Sequence, residues 1–135
     1  MNLRYLLSHL LNRVKFLNKE KPVTYLPPKE TVCKCGCGFD ITPEARDRFD
    51  ALRTAFGMPL VVSGGARCGD HNKAIGGATN SRHCYGDALD FSVPVEFRWK
   101  LVYHAMNLGF KGIGINKSFI HIDCRPDKNG SIWEY

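Results

Sequence analysis

A histidine, a carboxylate and a second histidine recur in this chain in an order that suits metal ligation. His83 and Asp90 lie in Ser81-Arg82-His83-Cys84-Tyr85-Gly86-Asp87-Ala88-Leu89-Asp90, and His121 follows in Phe119-Ile120-His121-Ile122-Asp123. Imidazole nitrogens and a carboxylate oxygen hold a catalytic Zn²⁺ through three protein atoms and leave a fourth position for water. The chemistry suggested is metal-assisted hydrolysis.

Such a set works only if the chain brings its members together. Ala88–Val93 and Ser118–Asp123 both alternate as half-buried strands. If they pair, Asp90 and His121 project from one face, and a turn at Gly86 returns His83 over them. Upstream, Thr42 is a good N-cap, Pro43 suits the first helical position, and Glu44 favours the positive helix start. Ala45, Phe49, Leu52 and Phe56 then fall on one face before Gly57 closes the helix. Leu60-Val61-Val62 reads as a buried strand. Pro94 opens a second helix with the apolar stripe Phe97, Leu101, Ala105 and Leu108, ended by Gly109. Ile113-Gly114-Ile115 and Phe119–Cys124 form a hairpin through Asn116-Lys117-Ser118. This order of elements predicts an α+β fold, a small antiparallel sheet flanked by helices.

The same residues carry a family resemblance. Ser81-x-His83-x-x-Gly86-x-Ala88-x-Asp90, with Phe119-Ile120-His121-x-Asp123 downstream, resembles the zinc D-Ala-D-Ala carboxypeptidase and peptidoglycan endopeptidase family. Phage endolysins belong to that family, and the hedgehog signalling domain shares its fold. The likeness runs from about Val32 to the C-terminus and takes in Cys33-Lys34-Cys35-Gly36-Cys37-Gly38, Ser63-Gly64-Gly65-Ala66-Arg67-Cys68, His71-Asn72 and Gly76-Gly77-Ala78-x-Asn80-Ser81.

The resemblance implies one catalytic Zn²⁺ on His83, Asp90 and His121. Some relatives place an acid three residues before the last ligand, where this chain has Ser118. Others carry His-x-His. Here His121-Ile122-Asp123 admits three arrangements, since residues 121 and 123 share one side of a strand. His121 binds the metal with Asp123 as acid/base, or the roles reverse, or Asp123 only orients a ligand imidazole. The first is preferred. Arg67 matches the family's substrate-contacting arginine, able to grip a carboxylate or stabilise an oxyanion, although the chain departs from the family pattern at Gly64. His71 and Ser81 are expected to support substrate binding, with Ser81 capping or pinning the metal loop.

Six cysteines pose a separate question. Cys33, Cys35 and Cys37 alternate, while Cys68, Cys84 and Cys124 adjoin the other motifs. Reduced thiols are the default, ahead of disulfides, for which six cysteines allow fifteen pairings. A structural Zn²⁺ on Cys33, Cys35, Cys37 and Cys68 comes last, because CxCxC is not a usual zinc spacing.

Charge narrows the partners. The chain has 135 residues and a net charge of +6. Residues 1–30 hold six Lys/Arg against two acids, leaving only +2 on the rest. No basic-aromatic interleaving suggests nucleic acid, whereas mild basicity suits an anionic wall or membrane surface. No run approaches the ~20 apolar residues of a membrane span.

Residues 1–28 are expected to form a basic amphipathic helix and a Pro-containing linker ahead of a peptidase domain over 29–135. Leu3, Leu6, Leu7, Leu10, Leu11, Val14 and Leu17 recur at helical spacing, with Arg4, Arg13 and Lys15 among them. Packing on the domain, weak contact with a membrane or anionic surface, and a signal peptide follow in that order.

The leading expectation is a zinc peptidase of peptidoglycan stem peptides or cross-links. A phage or prophage endolysin fits best, made in the cytoplasm without a clear signal peptide and acting on the bacterial wall. A host cell-wall carboxypeptidase is the near alternative. A hedgehog-like zinc-containing binding module without catalysis is the alternative from another class, and a metal-free basic surface-binding protein is a third.

Overall fold

A computed structural model describes residues 26–135. The expected helix and linker over 1–28 lie almost wholly outside the described residues. What is described begins inside the core: Leu26 is buried, and Arg46 donates to its carbonyl at 2.9 Å. The packed domain thus reaches upstream of residue 29.

A short helix α1 (Pro28–Thr31) leads to the cysteine loop and then to α2 (Pro43–Phe56). Thr42 Oγ1 accepts from the Ala45 N–H at 3.1 Å, and Gly57 takes the left-handed cap conformation at φ 77°. Both ends are set by the chemistry anticipated for them. Ala45, Phe49, Leu52 and Phe56 are all buried. Phe49 packs on Phe91 and Phe110 at centroid distances of 5.9 and 5.1 Å, which fixes α2 on the sheet.

The remaining elements are β1 (Val61–Gly64), α3 (Gly69–Ala74), a 3₁₀ turn (Arg82–Tyr85), β2 (Ala88–Ser92), a second 3₁₀ turn (Val95–Phe97), α4 (Arg98–Asn107), β3 (Gly112–Ile115), β4 (Ile120–Asp123) and β5 (Ser131–Glu134). The strands form one sheet in the order β1-β2-β4-β3-β5. The architecture is α+β, with a sheet that is mostly antiparallel. The departure is β5, which pairs parallel to β3 because the 124–130 connection steps past that strand before returning.

Packing differs from the expected pattern at the sheet edge and on α4. β1 was expected to be buried, yet Val61 is 62% exposed and Leu60 before it enters the core instead. On an edge strand only one face meets the helices. On α4, Leu101 and Ala105 are buried, whereas Phe97 and Leu108 lie at the rim, 37% and 39% exposed. Pro94 opens a 3₁₀ turn before α4, so Phe97 is out of phase with the helix behind it.

The central strands carry the site. β2 and β4 pair antiparallel with Asp90 opposite His121, and β3 and β4 pair with Gly114 opposite His121. The hairpin turn is tied by Asn116 N–H to the Phe119 carbonyl at 3.0 Å and by Ser118 N–H to Asn116 Oδ1 at 2.9 Å.

Candidate metal centre

His83, Asp90 and His121 meet. One donor atom from each lies within 4.8 Å of the others. Asp90 and His121 are neighbours across the β2–β4 ladder, and His83 arrives from the 3₁₀ turn, which Gly86 closes at φ 69°. Arg82 and Asp87 form an ion pair across that turn, and the Arg82 guanidinium stacks 4.1 Å over Tyr85.

The hydrogen positions decide what the three residues can bind. His83 Nδ1 lies 2.8 Å from the Gly65 carbonyl, which can only accept, so Nδ1 carries the hydrogen. The other nitrogen, Nε2, stands 3.2 Å from Asp90 Oδ1. At His121, Nε2 lies 2.9 Å from Asp123 Oδ2 and Nδ1 lies 2.9 Å from Asp90 Oδ1. Asp123 is fully buried and receives Nε and Nη2 of Arg125 at 2.8 and 2.7 Å. That clamp keeps it ionised, so it takes the His121 Nε2–H. Each neutral imidazole then turns a lone pair toward the same carboxylate oxygen. Three acceptors facing one another need either added protons or a cation, and two imidazoles with one carboxylate are a zinc donor set.

With added protons on the facing ring nitrogens in place of a cation, burial pushes the Asp90 carboxyl up, but hydrogen bonds from His121 and His83 overcome it and hold it down at about 2. Burial likewise disfavours charge on Asp123, and Arg125 with His121 outweighs it and holds the carboxyl far below its usual range. His121 is pushed down by burial yet held above its ordinary value by Asp123 and Asp90.

Gly64 explains the break in the loop motif. β1 bulges between Val62 and Gly64, which places Gly64 opposite Asp90. A Cβ there would come 2.6 Å from Asp90 Oδ2. Glycine leaves the carboxylate its place.

A cavity of about 370 Å³ opens over the centre. Arg67 and Ser81 line it together with His83, Asp90 and His121. Arg67 is held by Nη1 donating to Asn72 Oδ1 at 2.9 Å, and Gly77 lies so close that any side chain would strike both. His71 lines an adjoining depression of about 170 Å³ that also touches Arg67 and Asp90. Ser81 opens the 3₁₀ turn through its carbonyl, which accepts from Cys84 N–H at 3.0 Å; its side chain makes no cap bond, contrary to the capping role expected.

Arg125, Trp133 and Tyr135 complete the wall. The Arg125 guanidinium lies 5.0 Å over Trp133, whose ring centroid is 5.4 Å from that of His121. Arg125 was missed in the sequence. Its one signal was a basic residue two positions after a carboxylate, placed to share that strand face.

The description Peptidase M15 belongs to a family model that matches residues 24–123. A zinc D-Ala-D-Ala carboxypeptidase from Streptomyces albus G is 40% identical over 67 residues, covering 49% of this chain and 26% of that protein. The chain thus aligns with about a quarter of the length of this curated relative.

Proposed function

This chain belongs to the peptidase M15 family, and we propose that it is a zinc-dependent peptidase of peptidoglycan stem peptides or their cross-links. The observation that carries the reading is the convergence of His83 Nε2, His121 Nδ1 and Asp90 Oδ1, three acceptors that a divalent cation satisfies together. When bound there, Zn²⁺ polarises a carbonyl and makes water a nucleophile at neutral pH.

The protein's own groups supply the rest. Asp123, gripped by Arg125, fixes the His121 tautomer and turns Nδ1 toward Asp90. We therefore assign Asp123 a positioning role in place of acid/base, since it is sealed from the cavity by burial. Arg67 projects into the cavity from a backbone tied to the His83 carbonyl at 3.0 Å. Its planar fork suits a peptide carboxylate or a developing oxyanion. Trp133 and Tyr135 form part of the cavity wall and offer apolar ring surface to a bound peptide. The relative's D-Ala-D-Ala specificity and the compact cavity support a D,D-carboxypeptidase or endopeptidase, and we propose an endolysin role on the bacterial wall.

A second reading has one observation in its favour. Asp90 is the sole side-chain carboxylate among the described residues that line the cavity, and a site without a base favours a hedgehog-like zinc-containing binding module without catalysis. Digestion of purified peptidoglycan, with and without chelator and read by mass spectrometry, separates the two. Chelator-sensitive new termini support the peptidase and name the bond; an intact wall with zinc bound supports the module.

A further inference from the structure

We propose that Cys33, Cys35, Cys37 and Cys68 form a second, structural Zn²⁺ site that anchors the loop bearing Arg67. The four Sγ atoms all lie within 4.8 Å of one another. Cys33 and Cys35 are 3.5 Å apart and Cys35 and Cys68 are 3.6 Å apart. Tetrahedral coordination at ~2.3 Å per Zn–S bond puts the sulfurs about 3.8 Å from each other. A disulfide would need about 2.05 Å. The spacing in the fold is that of ligands around one ion.

The loop is built to present them. Its ends are clamped by one residue of α2: Arg46 Nη2 donates to Thr31 Oγ1 at 2.7 Å before the cysteines and to Asp40 Oδ2 at 2.9 Å after them. Between these ends Gly36 and Gly38 both adopt φ 85°, a left-handed conformation that residues with a side chain rarely take. A Cβ at either would meet nothing within 4 Å, so the backbone conformation, not lack of space, calls for glycine.

Backbone N–H groups point at the sulfurs as they do at thiolates. Phe39 N–H is 3.4 Å from Cys37 Sγ, Cys68 N–H is 3.4 Å from Cys33 Sγ, and His71 N–H is 3.4 Å from Cys68 Sγ. Such bonds orient ligands and spread their charge. Four thiolates leave no open position, which marks a structural site and not a catalytic one.

The unusual CxCxC spacing is resolved by the fourth ligand. Cys68 immediately follows Arg67, and Ala66 N–H donates to the Thr31 carbonyl at 2.7 Å. An ion on the four sulfurs would join the 33–38 loop to residues 63–68, whose other side touches His83 through Gly65 and Arg67. It would hold Arg67 over the catalytic cavity without entering it.

The test is metal content and ligand type, read apart from activity. Full-length protein loaded with Zn²⁺ and dialysed should retain two zinc ions per chain by elemental analysis. Cys35→Ser/Cys37→Ser should retain one, and His83→Ala/His121→Ala should also retain one. Cobalt should give an intense thiolate-to-metal charge-transfer band in the histidine variant and none in the cysteine variant. If a variant fails to fold, stepwise cobalt loading of the unaltered protein gives the same answer through that band. One zinc per chain with no charge-transfer band, or disulfides among these cysteines in the zinc-loaded protein, would overturn the proposal.

Discussion

Asp90 stands directly opposite His121 in the β2–β4 ladder, and its Oδ1 lies 2.9 Å from His121 Nδ1. The same oxygen is 3.2 Å from His83 Nε2. One carboxylate oxygen therefore sits between two imidazoles whose far nitrogens are already bonded to acceptors. The sheet register alone delivers two of the three ligands, and the Gly86 turn delivers the third.

Removing any of the three should empty the centre. His83→Ala and Asp90→Asn are each expected to lose the catalytic zinc and the hydrolytic activity while keeping the fold. Elemental analysis beside circular dichroism checks this. Full zinc with native structure in either variant would place the ligands elsewhere.

Asp123→Asn distinguishes orientation from acid/base chemistry. An orienting carboxylate lost from a ligand histidine typically costs 10–100-fold in metal affinity, and the amide also leaves Arg125 facing a buried neutral group. Competition with a chelating dye should show weaker zinc binding of that order. Unchanged affinity with abolished turnover would instead assign Asp123 the proton transfer.

Arg67→Lys keeps the charge and loses the fork. With the guanidinium aimed at a carboxylate or oxyanion, kcat/KM should fall on the order of 10²-fold, with zinc content unchanged. Gly77→Ala should act in the same direction, because its Cβ would displace Arg67 and Asn72. Equal activity of Arg67→Lys and the parent would remove Arg67 from substrate contact.

The pH dependence has opposite signs with and without metal. In chelated protein, His121 is held above its ordinary 6.5, so its contribution to stability is complete below 6.5 and is lost as pH rises through the raised value. Asp90, held at about 2, contributes above the usual 3.8 and loses that contribution only as pH falls through about 2. Zinc requires neutral imidazoles, so protons compete with it at low pH. The Tm gap between zinc-loaded and chelated protein should widen from about pH 5.5 to about pH 8, and less so in His83→Ala. A gap that narrows over this range would contradict the assignment.

Much of this was legible from local pattern. Thr42, Pro43 and Gly57 mark α2 by chemistry that acts within one turn, and the alternation in 88–93 and 118–123 fixes which side chains share a face. What escaped depends on distant neighbours. Val61 is apolar yet exposed because β1 is an edge, a fact of strand order and not of the strand. The strand β5 is four residues long and is defined by its parallel pairing with β3. Ser131-Ile132-Trp133-Glu134 has no length or periodicity to announce that. The four-cysteine set was named in the sequence but ranked last for the same reason: the loop supplies three sulfurs, and the fourth comes from 31 positions after Cys37.

The most direct test of the peptidase reading uses a defined stem pentapeptide ending in D-Ala-D-Ala, incubated with zinc-loaded protein, with the same protein plus chelator, and with His121→Ala. The reading predicts a new peptide terminus, identified by mass, in the first sample alone. Cleavage that survives both the chelator and His121→Ala would contradict it, as would an uncut peptide and uncut cross-linked muropeptides in the presence of bound zinc.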